Sequence, residues 1–319
     1  MHFKIMILCS DERHQRLIHC AETMLHEIAG SFGHKFSLRY EKIGQLSLSA
    51  YDTDLTEETV EACRECHAVF MDNGETTGAD DLLDALSLQL SLRFCGIPAG
   101  MQEYSPFDLW VAKVRSLDAA SIKQAMHQGF IVAEKMVVSV SQIHPNGNSC
   151  ELWNSEFQKN ASLYPMIPNN VHTLKSAAQA IIKSPETLGV FLTPPYAGNI
   201  YLPVAHTMCK TAYAVYDMAL GKEYAVYSAV HEEENVTSLS IVGYAMAISA
   251  MLRITFNLIR ESDCLDSALR NVLEYGWRTP DMLPTDENKV ITPEEMTDLI
   301  CEQISLAGQL MQDVGEMLS

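Results

Sequence analysis

The sequence has few basic residues for its length: 22 Lys and Arg stand against 41 Asp and Glu, a formal net charge of −19 over 319 residues. A surface with that charge repels nucleic acids and anionic lipids. The sequence also lacks a long uninterrupted apolar run. The longest, residues 239–254, contains Gly243, Ser249 and Arg253 and is short for a membrane span. We therefore expect neither a nucleic-acid nor a membrane partner.

The sequence also leads us to expect neither a secretory leader nor a disulfide framework. The first segment, residues 1–13, becomes charged too early for a signal peptide. The nine cysteines are odd in number, which fits free thiols in a reducing compartment. Cys63 and Cys66 form a CxxC pair, but they lie in an amphipathic helical pattern without a second pair, so we interpret them as packed thiols. These features predict a cytoplasmic protein.

Strand-like and helix-like segments alternate along the chain, which predicts an α/β fold with helices on both faces of a sheet. One segment, residues 189–203 (GVFLTPPYAGNIYLP), begins as an apolar run and breaks at a double proline. Such a pattern is typical of a buried strand whose end reaches a functional site. That strand end carries no carboxylate, lysine or histidine before His206.

Residues 268–281 (ALRNVLEYGWRTPD) resemble the closing motif of the isocitrate and isopropylmalate dehydrogenases, the β-decarboxylating dehydrogenases. The resemblance implies a two-lobed isopropylmalate-dehydrogenase-like fold, in which helices flank a shared central mixed sheet. We expect residues 1–97 and 230–319 to form a larger lobe, on the cofactor side, and residues 98–229 a smaller lobe with a dimer interface. Five further segments match the family in the same order: residues 4–8, 55–69, 135–140, 176–198 and 245–253.

Members of that family oxidise a 2-hydroxy acid with NAD or NADP and decarboxylate it with a divalent metal that stabilises the developing enolate. The resemblance places the three metal-binding aspartates at Lys175, Asn199 and Pro203, and the catalytic lysine at Gln142. These residues do not form the anionic cage that a divalent ion needs. A glutamine cannot shuttle a proton at neutral pH. The resemblance therefore implies the fold without an intact catalytic residue and without a metal site.

The substrate and cofactor positions differ as well. Two arginines that clamp the substrate in the family align with Ser87 and Ile97, and the segment between residues 98 and 135 is shorter. His231 survives in the cofactor loop as a relic, but three glutamates, residues 232–234, and Asn235 follow it in place of the small residues of the family. We therefore expect no cofactor, and no active NAD(P)-dependent decarboxylating dehydrogenase.

Three functional hypotheses follow. The first is a noncatalytic binding or regulatory subunit, either a homodimer or a heteromer with an active paralogue. The second is a repurposed enzyme, independent of metal and NAD, that uses the former active-site cleft around Lys175. The third is a conventional oxidoreductase of 2-hydroxy acids with a displaced site, which uses NAD or NADP. Four residues are candidates for binding a small anionic ligand: Lys175, Tyr196, Asn199 and His206.

Two apolar stretches, residues 201–220 and 239–258, are interpreted as mainly helical. Together they exceed what one core needs, and an obligate hydrophobic interface is a natural use for them. The sequence therefore predicts a dimer.

Overall fold

The computed structural model describes residues 1–101, 105–145, 150–209, 214–230, 240–282, 284–285 and 289–317. Within these ranges, ten strands form one mixed sheet. In chain order the strands are β1 (His2–Cys9), β2 (Lys35–Lys42), β3 (Ala68–Met71), β4 (Leu90–Phe94), β5 (Leu109–Val114), β6 (Val140–Ile143), β7 (Asn169–His172), β8 (Gly189–Thr193), β9 (Tyr216–Leu220) and β10 (Ala225–Ala229). Their spatial order is β2-β1-β3-β10-β9-β4-β5-β8-β6-β7.

Helices connect these strands, and two short strands, β11 (Trp277–Arg278) and β12 (Lys289–Val290), pair separately. The helices are α1 (Gln15–Phe32), α2 (Gly44–Tyr51), α3 (Glu57–Arg64), α4 (Ala79–Ala85), α5 (Ala119–Met136), α6 (Cys150–Leu163), α7 (Leu174–Lys183), α8 (Pro195–Cys209), α9 (Ile241–Ile254), α10 (Ile259–Glu274) and α11 (Pro293–Met317). No helix in the described ranges is both long enough and apolar enough to cross a membrane.

Strand β1 shows why the sheet is covered on both faces. Its side chains alternate, because successive residues of a strand point to opposite faces. Ile5 and Ile7 pack into the core that contains α1, α9 and α10, whereas Met6 and Leu8 pack into the core that contains α3 and α4. All four are at most 1% exposed. The predicted α/β fold with a mixed central sheet flanked by helices is confirmed.

The direction of the strands changes in the middle of the sheet. β1, β2, β3 and β10 are mutually parallel, and β5, β6, β7 and β8 form a second parallel group. Between the groups, β9 is antiparallel to both β10 and β4, and β4 is antiparallel to β5. One continuous sheet therefore joins the two predicted lobes, and their boundaries stay a prediction.

The apolar stretch at residues 239–258 lies inside the chain and not on its surface. Its helix, α9, packs against α1, α10 and the sheet, and nearly all its side chains are buried. The prediction that this stretch supplies an interface is wrong, because its apolar surface is already covered. The stretch at residues 201–220 ends in a strand, β9, in the middle of the sheet, where a continuous helix was expected.

Candidate functional site: a cavity with three basic side chains

A cavity of about 350 Å³ lies over β9, β4 and β5, where the strand direction changes. Its floor is one face of the sheet. Arg93 on β4 is opposite Asp217 on β9 and Val111 on β5, and Ser91 is opposite Lys113. Directly opposed residues share a face of a sheet, which explains why these side chains meet. Helices α4 and α8 form the walls, and the loop that follows β3 contributes Gly74, Glu75 and Thr76.

The first basic side chain, Arg93, is held by two carboxylates. Its Nε and Nη2 donate to the two oxygens of Asp217 at 2.7 and 2.8 Å, and Nη2 also donates to Glu75 Oε1 at 3.0 Å. The Arg93 side chain is only 10% exposed, whereas that of Glu75 is 43% exposed. The geometry to Asp217 is the two-point pairing that arginine forms with carboxylates. The positive charge of Arg93 is therefore fully compensated within the protein.

The second, Arg115, follows β5 and is compensated in the same way. Its Nη1 donates to Asp80 Oδ1 at 2.9 Å and its Nη2 to Asp84 Oδ1 at 2.6 Å. Both carboxylates belong to α4, one turn apart, so a single guanidinium bridges them. The pairs fix α4 against the edge of the cavity.

The third, Lys113 on β5, differs from the arginines. Its Nζ donates to Asn199 Oδ1 of α8 at 3.1 Å, and no carboxylate lies within ion-pair distance among the described residues. Gly198 explains the close approach of α8. A Cβ built on Gly198 would lie 2.8 Å from Lys113 Cγ, so only a glycine lets the helix backbone contact the lysine stem. Lys113 is thus the one cavity cation, among the described residues, without a carboxylate partner.

The residues at this site do not fit a divalent metal. Of the positions that the resemblance assigns to metal ligands, Asn199 offers a neutral oxygen that already accepts from an ammonium group, and Pro203 offers no ligand side chain. Nowhere in the described ranges do three or more His, Cys, Asp or Glu side chains form a group that could hold a metal ion. The two carboxylates nearest the cavity floor, Asp217 and Glu75, are occupied by Arg93. A hard divalent cation prefers several anionic oxygens, which are absent here.

The structure separates the residues that the sequence proposed as one site. Asn199 accepts a hydrogen bond from Lys113, which lines the cavity. Tyr196 and His206, also on α8, do not line the cavity. Lys175 is exposed in the first turn of α7 and lies outside the cavity of its own chain. Their role in ligand binding stays a prediction.

Two further positions were proposed from the family resemblance, Gln142 and His231. Gln142, on β6, is 1% exposed, and its Oε1 has no hydrogen-bond partner among the described residues. A side chain so deeply buried is part of the core. His231 lies outside the described residues.

A second polar cluster, at the carboxyl ends of β1 and β3, was also missed from the sequence. Asp72 is fully buried, and its Oδ2 accepts the Ser10 backbone N–H at 2.7 Å and lies 3.1 Å from His14 Nδ1. A carboxylate at Nδ1 fixes the orientation and tautomer of an imidazole. Burial, and then the charge of Asp72, raise the pKa of the adjacent Cys9 thiol to about 11. Cys9 is therefore protonated at neutral pH and is not a nucleophile.

Comparison with known proteins shows which proteins the chain resembles. No family model matches the chain. The chain is 21% identical to 3-isopropylmalate dehydrogenase of Aquifex aeolicus over 355 residues, which span 95% of this chain and 97% of that protein. It is 23% identical to the 3-isopropylmalate dehydrogenase of Listeria innocua, over 88% of this chain and 94% of the relative.

Solved structures agree with these sequences. Isocitrate dehydrogenase of Methylococcus capsulatus superposes with a TM-score of 0.79 at 16% identity, covering 96% of this chain and all of that one. A β-decarboxylating dehydrogenase of Thermococcus kodakarensis gives 0.77 at 15% identity, covering 95% and 96%. The chain is similar to these dehydrogenases in sequence over most of its length and shares their fold. The resemblance predicted from residues 268–281 and the matching segments is confirmed.

These relatives correct one expectation. We expected no cofactor, yet the relatives that match almost the entire chain are named dehydrogenases. A dehydrogenase passes hydride to a redox cofactor, so the relatives contradict the prediction of a cofactor-free protein, and that prediction is wrong. The correction also weighs against the second hypothesis, an enzyme independent of NAD.

Proposed function

We propose that the protein is a binding or regulatory subunit of the isocitrate and isopropylmalate dehydrogenase type. In this proposal the cavity at Lys113 binds a small carboxylate, and metal-dependent oxidative decarboxylation has been lost. The observation that carries the proposal is the Lys113 ammonium, which lines a cavity without a carboxylate partner among the described residues. A positive charge left uncompensated in a confined site attracts an anion.

The distribution of charge supports one anionic group and not several. The whole protein has a net charge of −19, yet three of its 22 basic residues line this cavity. Arg93 and Arg115 each already contact two carboxylates. Among the described lining residues, a ligand therefore meets one cation without a carboxylate partner, Lys113, beside the Asn199 side chain and the floor residue Ser91. This arrangement favours a small monoanion, or one carboxylate of a larger acid.

The residues at two positions of the family's active site support the loss of decarboxylation. The enolate formed by decarboxylation needs a strong cation beside it, and the residues at the former metal site do not fit one. The position of the catalytic lysine is occupied by Gln142, which is buried in the core and cannot transfer a proton at neutral pH. A protein with this fold that lacks the metal and the proton-transfer residue still has a cavity for a ligand, and ligand binding is the function that we propose for it.

The test is ligand-induced stabilisation followed by an activity assay. We expect malate or isopropylmalate to raise the melting temperature of the purified protein in the presence of EDTA, because a ligand that binds the native state stabilises it. We expect no reduction of NAD or NADP with isocitrate, isopropylmalate or malate. Steady reduction that EDTA abolishes would overturn the proposal.

One observation favours a second candidate function, an oxidoreductase of 2-hydroxy acids with a displaced site. The relatives named dehydrogenases match 93–96% of this chain in the first three cases. The two candidates differ in a single result. Turnover of a 2-hydroxy acid with NAD or NADP that persists in EDTA would support the oxidoreductase, whereas stabilisation without turnover supports the binding subunit.

We also propose that the protein is a homodimer, through a different surface from the one predicted. Apolar side chains are exposed on the edge strand β7 and on the adjoining helices α7 and α8, where Val171 is 47%, Ile182 56% and Ile200 61% exposed. A second copy of this face would cover them. A heteromer with an active paralogue would use the same surface.

Light scattering tests the dimer. We expect the mass of two chains at micromolar concentration, and the mass of one chain for Ile200→Lys, because a buried ammonium opposes association. Leu48→Lys, at a 44% exposed residue of α2, is the matched control and leaves the mass unchanged. A wild-type protein with the mass of one chain contradicts the proposal.

A further inference from the structure

The position of Lys113 is fixed by its surroundings. Its stem packs against the backbone of α8 at Gly198, and its Nζ is held by the side-chain oxygen of Asn199 at 3.1 Å. An ammonium has three N–H donors. One is used by Asn199, so two remain for oxygen atoms of a ligand in the cavity.

The charge of Lys113 remains available to such a ligand. A divalent ion bound by three aspartates carries a net charge of −1 together with its ligands, so the protein more than balances its charge. Here a single ammonium contacts a neutral amide, and the pair carries a net charge of +1. The two arginines on the same face do not compete for the ligand, because their carboxylates already neutralise them.

The contact with Asn199 connects Lys113 to the former metal site. Asn199 is the position to which the family resemblance assigns a metal-binding aspartate. In this chain the cation at the Asn199 oxygen is the Lys113 ammonium, which is a side chain of the protein and not a bound metal ion. An ammonium attracts the same oxygen atoms as a metal ion does, but as a point charge with hydrogen bonds instead of coordination bonds.

We infer that the Lys113 ammonium takes the place of the divalent cation and binds two neighbouring oxygens of a 2-oxo or 2-hydroxy monocarboxylate without metal. This inference rests on the proposed carboxylate binding. It adds that Lys113 is the group that binds the acid and that no metal takes part. One ligand oxygen comes from the carboxylate and the other from the adjacent carbonyl or hydroxyl group. Asn199 and Gly198 are positioning residues, because they act by holding the ammonium in place.

The experiment uses oxamate, an unreactive 2-oxo monocarboxylate, and isothermal titration of the full chain in EDTA and in excess Mg²⁺. The wild type is expected to bind oxamate equally in both. Lys113→Met is expected to weaken binding about tenfold or more, because charge-assisted hydrogen bonds are lost. Lys123→Met, at an exposed lysine of α5, removes the same charge elsewhere and is expected to bind as the wild type does.

A second variant keeps the charge and moves it. Gly198→Ala places a methyl group 2.8 Å from Lys113 Cγ and 2.8 Å from Thr193 Oγ1, so the ammonium must shift away from Asn199. We expect weaker oxamate binding at an unchanged net charge. Circular dichroism melts of each variant check that the fold is retained, and Lys113→Gln replaces Lys113→Met if that variant does not fold.

The outcomes separate the two claims. If the wild type binds neither oxamate nor malate in either buffer, the proposed carboxylate binding fails, and the inference fails with it. If the wild type binds oxamate only with Mg²⁺, or if Lys113→Met binds as the wild type does, carboxylate binding stands and the role of Lys113 is overturned.

Discussion

Arg93 on β4 and Asp217 on β9 are direct partners in the antiparallel register, and two hydrogen bonds of 2.7 and 2.8 Å join their side chains. The pair lies on the cavity floor, at the point where the two parallel halves of the sheet meet. Because Arg93 also contacts Glu75 of the loop after β3, one side chain joins the two halves.

Removing Arg93 is expected to destabilise the fold. Arg93→Met leaves Asp217 without its cation, and we expect the free energy of unfolding to fall by about 2 kcal/mol, since Asp217 is partly hydrated and recovers some water contacts. In the double variant Arg93→Met/Asp217→Leu, the unpaired charge is absent, and the loss is expected to be smaller than the sum of the single effects. Urea unfolding of the wild type, the single variants Arg93→Met and Asp217→Leu, and the double variant measures these effects. Additive effects would show that the pair contributes nothing specific.

Two glycines give opposite predictions. Gly189, at the start of β8, has a φ of +57°, and an added Cβ would lie 2.2 Å from the Ser139 carbonyl oxygen. Gly189→Ala is expected to cost more than about 2 kcal/mol, through strain and a backbone clash. Gly30 of α1 has nothing within 4 Å of the added Cβ, so Gly30→Ala is expected to stabilise by about 0.5 kcal/mol. Urea unfolding of both variants measures the two changes in the free energy of unfolding. Changes of the same sign and size would contradict the two predictions.

Asp118 makes the stability of α5 depend on pH. Its carboxylate accepts from the Ser121 hydroxyl and from the backbone N–H groups of Ser121 and Ala120, and these bonds hold its pKa well below the usual range. Because the pKa of Asp118 is lower in the folded state than in the unfolded state, the ionised carboxylate stabilises the fold at pH values above the unfolded pKa of about 4. This stabilisation is lost as the pH falls through the folded pKa.

Asp118→Ala should therefore lower the melting temperature at neutral pH, and the difference from the wild type should shrink as the pH falls below about 4. Asp118→Ser is the control, because a serine caps the helix without titrating in this range. Melts recorded across the acid range test the prediction. A difference that stays constant down to the lowest pH would contradict it.

Lys175 is predicted to matter little within one chain. It is exposed at the start of α7, so Lys175→Ala is expected to change the free energy of unfolding by less than about 0.5 kcal/mol. We expect the oxamate-induced rise in melting temperature to persist, because Lys113 supplies the cation. Loss of that rise would contradict the prediction and would place Lys175 of a second copy at the cavity.

The sequence predicted the fold because its main signals are local. The apolar run at residues 4–9 reports on one strand, β1, and the motif at residues 268–281 covers the end of α10 and the adjoining strand β11. The apolar stretch at residues 239–258 was assigned to the wrong environment for a related reason. Hydrophobicity predicts burial, but it does not distinguish a core from an interface. In the structure, α9 is covered by α1, α10 and the sheet.

The cavity was harder to predict, since its residues meet only through tertiary pairing. Arg93 lies between Ser87 and Ile97, the two positions where the arginines of the family were expected, so a residue-by-residue match passed over it. Lys113 belongs to a strand that was not predicted in the short segment after residue 98. The face on which these side chains lie follows from the registers of β4 with β5 and β9, which no local pattern specifies.

The place of β10 in the sheet also determines the order in which the chain completes its fold. β10 lies between β3 and β9, so Val69 of β3 pairs with Val226, roughly 150 residues later. A ribosome that adds about 5–20 residues per second needs roughly 8–30 s to synthesise that interval. Until then the fully buried strand β3 has one edge without its native partner. The pairing of β3 with β10 therefore forms only after most of the chain has emerged.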